Sequence, residues 1–265
     1  MSSYTMTNNL HTARLPISVT IICHNEVERI KETIECVEDW VDEVIVVDSG
    51  STDGTQDIVL STTAKLFFNE WQGYGQQKRF AEDQASNDWI FNIDADERVL
   101  PELAEEIQNR FIVESNNVEA YKVPIYDRFL CTREISKYKP YNPVRLYKKS
   151  VGRYRDSAVH DRVVLPNTAN VSQLRNRIAH DSLKSFRHRV EKMNNYTDAQ
   201  VIDLRSKGRK FSKMRIVLEF WCAFLVCYIR RGYWRNGFMG YIYSMNFAYS
   251  RFLRAIKLYE SSSNE

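Results

Sequence analysis

Across residues 17–114, short apolar runs rich in β-branched residues alternate with stretches whose apolar residues recur at helical spacing, and this alternation constrains the fold most. ISVTIIC (17–23), EVIVV (43–47), KLFF (65–68) and WIFNI (89–93) read as strands. Between them, residues 26–38 place Ile30, Ile34 and Val37 on one helical face, Asp53 stands where it can cap a helix over 54–60, and a further helix is expected near 75–86. Pro101 opens a helix over 101–114. The strands are apolar throughout, so both faces of their sheet must be covered, as helices cover a parallel sheet. An α/β fold follows, with its ligand crevice outside the carboxyl ends of the strands. Three polar clusters sit at those ends, His24-Asn25-Glu26, Asp48-Ser49-Gly50-Ser51 and Asp94-Ala95-Asp96, and the topology should gather them on one edge.

Residues 119–125 (EAYKVPI), the stretch near 128–132 and 144–149 (VRLYKK) read as short strands, and from about 181 the pattern turns helical. The 265 residues, 43% hydrophobic and 12% aromatic, can bury a sizeable core and exclude a disordered chain. The net charge of +3 says little about partners, but residues 201–259 carry 12 Lys and Arg against Asp203 and Glu219. The longest apolar run, Ile216 to Ile229, holds Glu219 and is short of the roughly 20 apolar residues of a membrane span. Apolar bulk flanked by Arg and Lys suits an anionic membrane surface better than nucleic acid. The N-terminus has no basic stretch followed by an apolar one, so no signal peptide is expected. Five scattered cysteines without a C-x-x-C pair read as reduced thiols, mostly core filler, in a cytosolic protein.

Asp94-x-Asp96 places two carboxylates at a strand end, where they can hold a hard divalent cation and leave positions for phosphate oxygens. Asp48 can accept a hydrogen bond from a base or ribose, or cap its own turn. Asn25 and Glu26 suit a nucleotide site or a turn and helix start. Lys78 and Arg79 can meet phosphate or base edges, or lie on a solvated helix face. Gly73 and Gly75 form neither a phosphate loop nor a dinucleotide fingerprint. His160 can complete a metal shell and Asp161 can take a proton from an acceptor hydroxyl; His180 reads as a hydrogen-bonded structural residue.

Taken together, ISVTIICHNE, EVIVVDSGSTDGT, WQGYGQQKRFA and DWIFNIDADERVLPEL resemble the GT-A domain of family 2 glycosyltransferases. The VHDR stretch, DSLKSFRHRVEKMNNYT and the RRGYWRNGFMGYIYSMNFAYSRFLRAIKLYE segment are similar to the inner-core β-1,4-glucosyltransferases of lipopolysaccharide or lipooligosaccharide synthesis. The resemblance implies a GT-A domain over 15–180, with a mostly parallel central sheet, and a basic, aromatic helical extension over 181–260 for membrane or acceptor contact. It implies a nucleotide-sugar site of Asn25, Glu26, Asp48 on the uracil, Ser49, Lys78, Arg79, Asp94, Ala95 and Asp96. It implies Mg²⁺ or Mn²⁺ on Asp94, Asp96 and His160, with Asp96 the direct ligand. Asp161, standing where relatives carry Glu, would be the base of an inverting transfer, with Glu97 and Asp127 as alternatives. The implied donor is UDP-glucose, or UDP-galactose in a related transferase. The acceptor is a heptose of a lipid-linked core oligosaccharide, at the cytoplasmic face of the inner membrane. A sugar-phosphate nucleotidyltransferase and a membrane-docked scaffold retaining the fold are the rival readings.

Overall fold

A computed structural model describes residues 14–114, 117–130, 132, 134–137, 140–157, 161–209 and 213–263. They form two compact units, one of residues up to 125 with 141–180, the other of 126–140 with 181–265. In chain order the elements are β1 (Leu15–Cys23), α1 (Ile30–Glu35), β2 (Val41–Asp48), α2 (Thr55–Leu60), β3 (Lys65–Phe68), α3 (Tyr74–Gln84), β4 (Trp89–Asp94), β5 (Glu97–Val99), α4 (Pro101–Glu114), β6 (Ala120–Lys122), β7 (Ile125–Asp127) and β8 (Val144–Lys148). There follow β9 (Arg153–Tyr154), β10 (Val163–Val164), β11 (Val171–Gln173), β12 (Ile178–His180), α5 (Phe186–Ser206), α6 (Lys213–Leu225) and α7 (Gly237–Ser263).

The first unit is built on a seven-stranded sheet in the order β11-β6-β8-β4-β1-β2-β3. β1 to β4 run parallel, and β8 lies antiparallel to both β4 and β6. The four apolar runs need no alternation because both faces are covered. On one face Ile17, Val19 and Ile21 of β1 pack with Ile30, Ile34, Leu103 and Ile107 of the helices. On the other, Ile22, Ile45, Val47 and Ile90 pack with Ala81 of α3 and with Tyr147 and Tyr154. This is the GT-A arrangement that the motifs imply.

Several expected boundaries shift. The helix expected over 26–38 contracts to α1: the Trp40 indole donates to the carbonyl of Cys36 (3.2 Å) and Val37 N closes a tighter turn on Ile34 (3.0 Å). Gly54, at φ 93°, caps α2 instead of Asp53, whose carboxylate accepts from Thr55 N (3.0 Å). Among the described residues near 128–132 there is a single bridge, Arg128 to Ile135, in place of a strand. Of the cysteines described, Cys23 and Cys227 are buried and all are free thiols, but Cys222 is exposed rather than core filler.

In the second unit, Val201 of α5 packs with Ala255 and Leu258 of α7. The 126–140 segment joins these helices because Phe129 stacks edge-on against Tyr243 (4.8 Å between centroids) and the Tyr243 hydroxyl accepts from Leu130 N (3.1 Å). Among the described residues no helix is long and apolar enough to cross a membrane.

Candidate active site

Strand register brings the three polar clusters level. Cys23 lies opposite Asp48, and Ile22 lies opposite Asp94, so β1, β2 and β4 end side by side. Asn25 adopts φ 56°, a left-handed conformation that asparagine tolerates better than most side chains. That turn lets Asn25 N donate to Ser51 Oγ (2.8 Å) and Asn25 Oδ1 accept from Thr52 N (2.9 Å). Glu26 N donates to Thr55 Oγ1 (2.8 Å), and the Glu26 carboxylate receives two bonds from Arg29 (2.6 and 2.7 Å). The loops after β1 and β2 are thereby laced into one rim.

Asp48 is buried, and both its carboxylate oxygens are taken by its own neighbourhood. Oδ1 accepts from Gly50 N (2.9 Å), Ser51 N (2.9 Å) and Gln56 Nε2 (2.7 Å); Oδ2 accepts from the Ser51 hydroxyl and, at 3.4 Å, from Cys23 Sγ. Burial pushes the Asp48 carboxyl up, but these donors, led by the Ser51 hydroxyl, outweigh it and hold it below the usual carboxylate range. Burial and then the Asp48 charge push the Cys23 thiol far up. Ser49 turns its hydroxyl to the carbonyl of Cys23 (3.2 Å).

Lys78 is 1% exposed. Its ammonium stands between two carboxylates, 2.8 Å from Asp94 Oδ1 and 2.7 Å from Asp161 Oδ2, with the Tyr154 ring 5.0 Å away. Burial would strip its proton, but the Asp94 charge outweighs burial and raises the group above the ordinary lysine range. Gly75 makes this geometry possible: its N donates to Ser157 O (3.0 Å), and a Cβ there would lie 2.1 Å from Arg155 O. Arg79, expected to meet the nucleotide, instead donates to the carbonyl of Tyr154 (3.0 Å) and braces β9 against α3.

Arg145 of β8 was not singled out in the sequence, yet it organises the centre. It donates to Asn92 Oδ1 (2.8 Å), Asp94 Oδ2 (2.8 Å) and Glu97 Oε1 (2.9 Å). Burial pushes the Asp94 carboxyl up, but Arg145 and Lys78 more than reverse it, and Asp94 stays ionised. Glu97, 2% exposed, accepts from Asp94 N (2.9 Å); burial pushes its carboxyl up to about 7, Arg145 opposing and Asp94 assisting. Its enclosure makes Glu97 a support for Asp94. Asp127, the other alternative base, groups with the second unit.

Asp96 lies past the end of β4, its side chain 22% exposed, with His180 Nε2 at 3.4 Å and Arg29 Nη1 at 3.6 Å. β12 delivers His180: it pairs antiparallel with β5, placing His180 opposite Glu97. Burial pushes the Asp96 carboxyl up, but the His180 hydrogen bond outweighs it and leaves Asp96 below its ordinary range. Ala95 is buried, its carbonyl accepting from Thr33 Oγ1 (2.7 Å). His160, expected as a ligand, lies outside the described residues.

Among the described residues no three His, Cys, Asp or Glu converge as a ready-made metal cage. Asp96 with His180 is nevertheless a donor set that suits Mn²⁺ or Mg²⁺, and a diphosphate can supply the remaining oxygens. Asp94 has both its oxygens engaged by cationic side chains.

The model for the family described as Glycosyl transferase family 2 matches residues 18–183. An uncharacterized glycosyltransferase of Rickettsia felis is 40% identical over 257 residues, covering 92% of this chain and 90% of that one. The lipopolysaccharide core biosynthesis glycosyltransferase LpsC of Rhizobium meliloti is 33% identical over 261 residues, 93% of each chain. Among solved structures, S. aureus TarS 1–349 is 14% identical, with a TM-score of 0.47 over 94% of this chain and 91% of that chain.

Proposed function

The chain belongs to glycosyl transferase family 2, and from that premise we propose that it moves glucose from UDP-glucose, with inversion, onto a heptose of a lipid-linked lipopolysaccharide or lipooligosaccharide core. The observation that carries the reading is the join at the carboxyl edge of the sheet. Asp94 and Asp161, far apart in sequence, share the ammonium of Lys78, while Asp96 meets His180 two residues past Asp94. In this reading Asp161 is the acceptor base and Asp96 with His180 the site for the charged leaving group. The resemblance of the motifs supports the donor, and the likeness to LpsC, which is named for lipopolysaccharide core biosynthesis, supports the acceptor.

In this reading the rim formed by Asn25, Glu26, Asp48 and Ser49 frames the nucleotide. Asp48 acts there by fixing the loop 49–51, since its own oxygens are engaged. Asp96 and His180 would hold a divalent cation, which when bound neutralises charge growing on the departing diphosphate. Lys78 holds Asp161 by Oδ2, and the other oxygen of Asp161 takes the proton of the attacking acceptor hydroxyl. Lys78 and Arg145 keep Asp94 ionised and oriented, so the strand end does not rearrange between substrates. With a lipid-linked acceptor, the enzyme works as a peripheral protein at the cytoplasmic face of the inner membrane.

The test is a donor screen with a heptose-containing acceptor, following nucleotide release with Mn²⁺, with Mg²⁺ and with EDTA. UDP release from UDP-glucose that EDTA abolishes is expected. Preference for UDP-galactose overturns the donor, release of pyrophosphate overturns glycosyl transfer, and full turnover in EDTA overturns the role of Asp96 and His180.

A further inference from the structure

Helix α6 has no buried residue, although its sequence, KMRIVLEFWCAFL, is mostly apolar. Met214, Val217, Leu218, Trp221 and Leu225 are each at least half exposed. At 3.6 residues per turn these five fall within roughly 100° of the helix circumference. The opposite side is already used: the Phe220 ring meets Phe252 of α7 at 6.4 Å, and Glu219 meets Arg254 at 3.3 Å. A helix apolar on both sides and packed on only one leaves a face for something else to cover.

The charges around that face identify the cover. Lys213 lies at its start and Arg230, Arg231 and Arg235 follow it, while Glu219 is the one acid from 213 to 259. Glu219 is turned away, its side chain 12% exposed and held among Arg215, Arg251 and Arg254. Trp234 and Phe238, in the segment that follows, are exposed as well, and Arg235 stacks over the Trp234 ring at 5.5 Å. Two copies of this surface packed face to face would set cationic rims against each other. An anionic lipid leaflet matches both the apolar face and its rim. With the π-helical turn Val226–Arg230 that continues it, the helical run spans about 27 Å and carries Lys213, Arg215, Glu219 and Arg230; among the described residues no helix is long and apolar enough to cross a membrane, so this one lies in the plane of the leaflet.

We infer that α6 is an in-plane anchor whose Met214, Val217, Leu218, Trp221 and Leu225 face enters an anionic phospholipid leaflet while the flanking Lys and Arg meet lipid phosphates. This rests on the peripheral-membrane reading above and says which surface carries it. The test is flotation of the full chain with vesicles of phosphatidylcholine alone or mixed with phosphatidylglycerol. The wild type should float with the mixed vesicles and lose that binding in high salt. Trp221→Glu and Leu218→Glu should each weaken partitioning by about 10²-fold, and Arg230→Ser by about five-fold. Each variant should keep the wild-type circular dichroism, melting temperature and UDP release on a soluble acceptor. A wild type that floats with neither vesicle overturns the membrane reading itself. Binding that survives both glutamate substitutions overturns the assignment to α6 alone. A wild-type dimer that Trp221→Glu dissolves without altering flotation makes the face a self-interface, and the inference falls.

Discussion

Oδ2 of Asp96 lies 3.4 Å from Nε2 of His180, a contact made by pairing two three-residue strands whose sequence neighbourhoods are unrelated. An aspartate and an imidazole meeting beyond a parallel strand end make the part of this site best suited to a divalent cation. His180→Ala should therefore weaken Mn²⁺ binding by about 10²-fold, read by titration calorimetry of the free enzyme and by the Mn²⁺ dependence of UDP release. Asp96→Asn should behave alike. Unchanged Mn²⁺ affinity in His180→Ala would return His180 to a purely structural role.

Lys78 has the opposite character, a buried charge whose partners are both anionic. Lys78→Met removes the ammonium and leaves Asp94 to Arg145 and Asp161 without its anchor. Breaking a buried ion pair from one side costs about 3 kcal/mol, so the urea midpoint should fall well below that of the wild type. Turnover should fall as well, because Asp161 is no longer held. A variant of wild-type stability would show that the lysine sits in a wetter site than its 1% exposure implies.

The central strands were legible because burial on both faces writes itself locally, as uninterrupted runs such as ISVTIIC and EVIVV. The gathering of residues 24–26, 48–51 and 94–96 followed from parallel topology alone, and register confirms it. What was hidden depends on partners distant in the chain. β5 and β12 are three residues each, too short for any periodicity, so His180 looked structural. Arg145 sits in VRLYKK as one of three cations, and only the antiparallel placement of β8 beside β4 points it at Asp94. Asp48 had two readings, and a sequence does not say which donors will reach it; the loop supplies three and Gln56 of α2 a fourth.

Gly75→Ala tests how tightly the segment before Asp161 is seated. The added Cβ would meet Arg155 O at 2.1 Å and Ser157 O at 2.6 Å, both backbone atoms that cannot swing aside. The segment must shift or α3 must unwind a turn, costing about 1–3 kcal/mol. The expected result is a lower melting temperature together with a turnover loss larger than that of a surface substitution such as Glu105→Ala, on the exposed side of α4. Full activity at reduced stability would separate the seating of this segment from the chemistry.

Glu43 anchors the far edge of the sheet, away from the strand ends that carry the site. Its Oε1 accepts from Ser18 Oγ (2.5 Å) and Ser86 N (2.6 Å), and its Oε2 accepts from Lys65 Nζ (2.7 Å). Burial pushes the carboxyl up, but the Lys65 and Ser18 hydrogen bonds outweigh it and depress the folded value. A depressed carboxylate contributes stability that is fully present above the unfolded pKa, near 4.3, and is lost as pH falls through the folded one. Lys65 is more than half exposed, so solvent screens its share and the serine and backbone donors dominate. Glu43→Gln should thus cost about 1–2 kcal/mol at pH 7, and the gap to wild type should close on acidification below about pH 4. UDP release per folded molecule should be unchanged, since none of these bonds reaches the residues around Asp94. A gap that persists at low pH would mean that the substituted amide fails for shape rather than for charge.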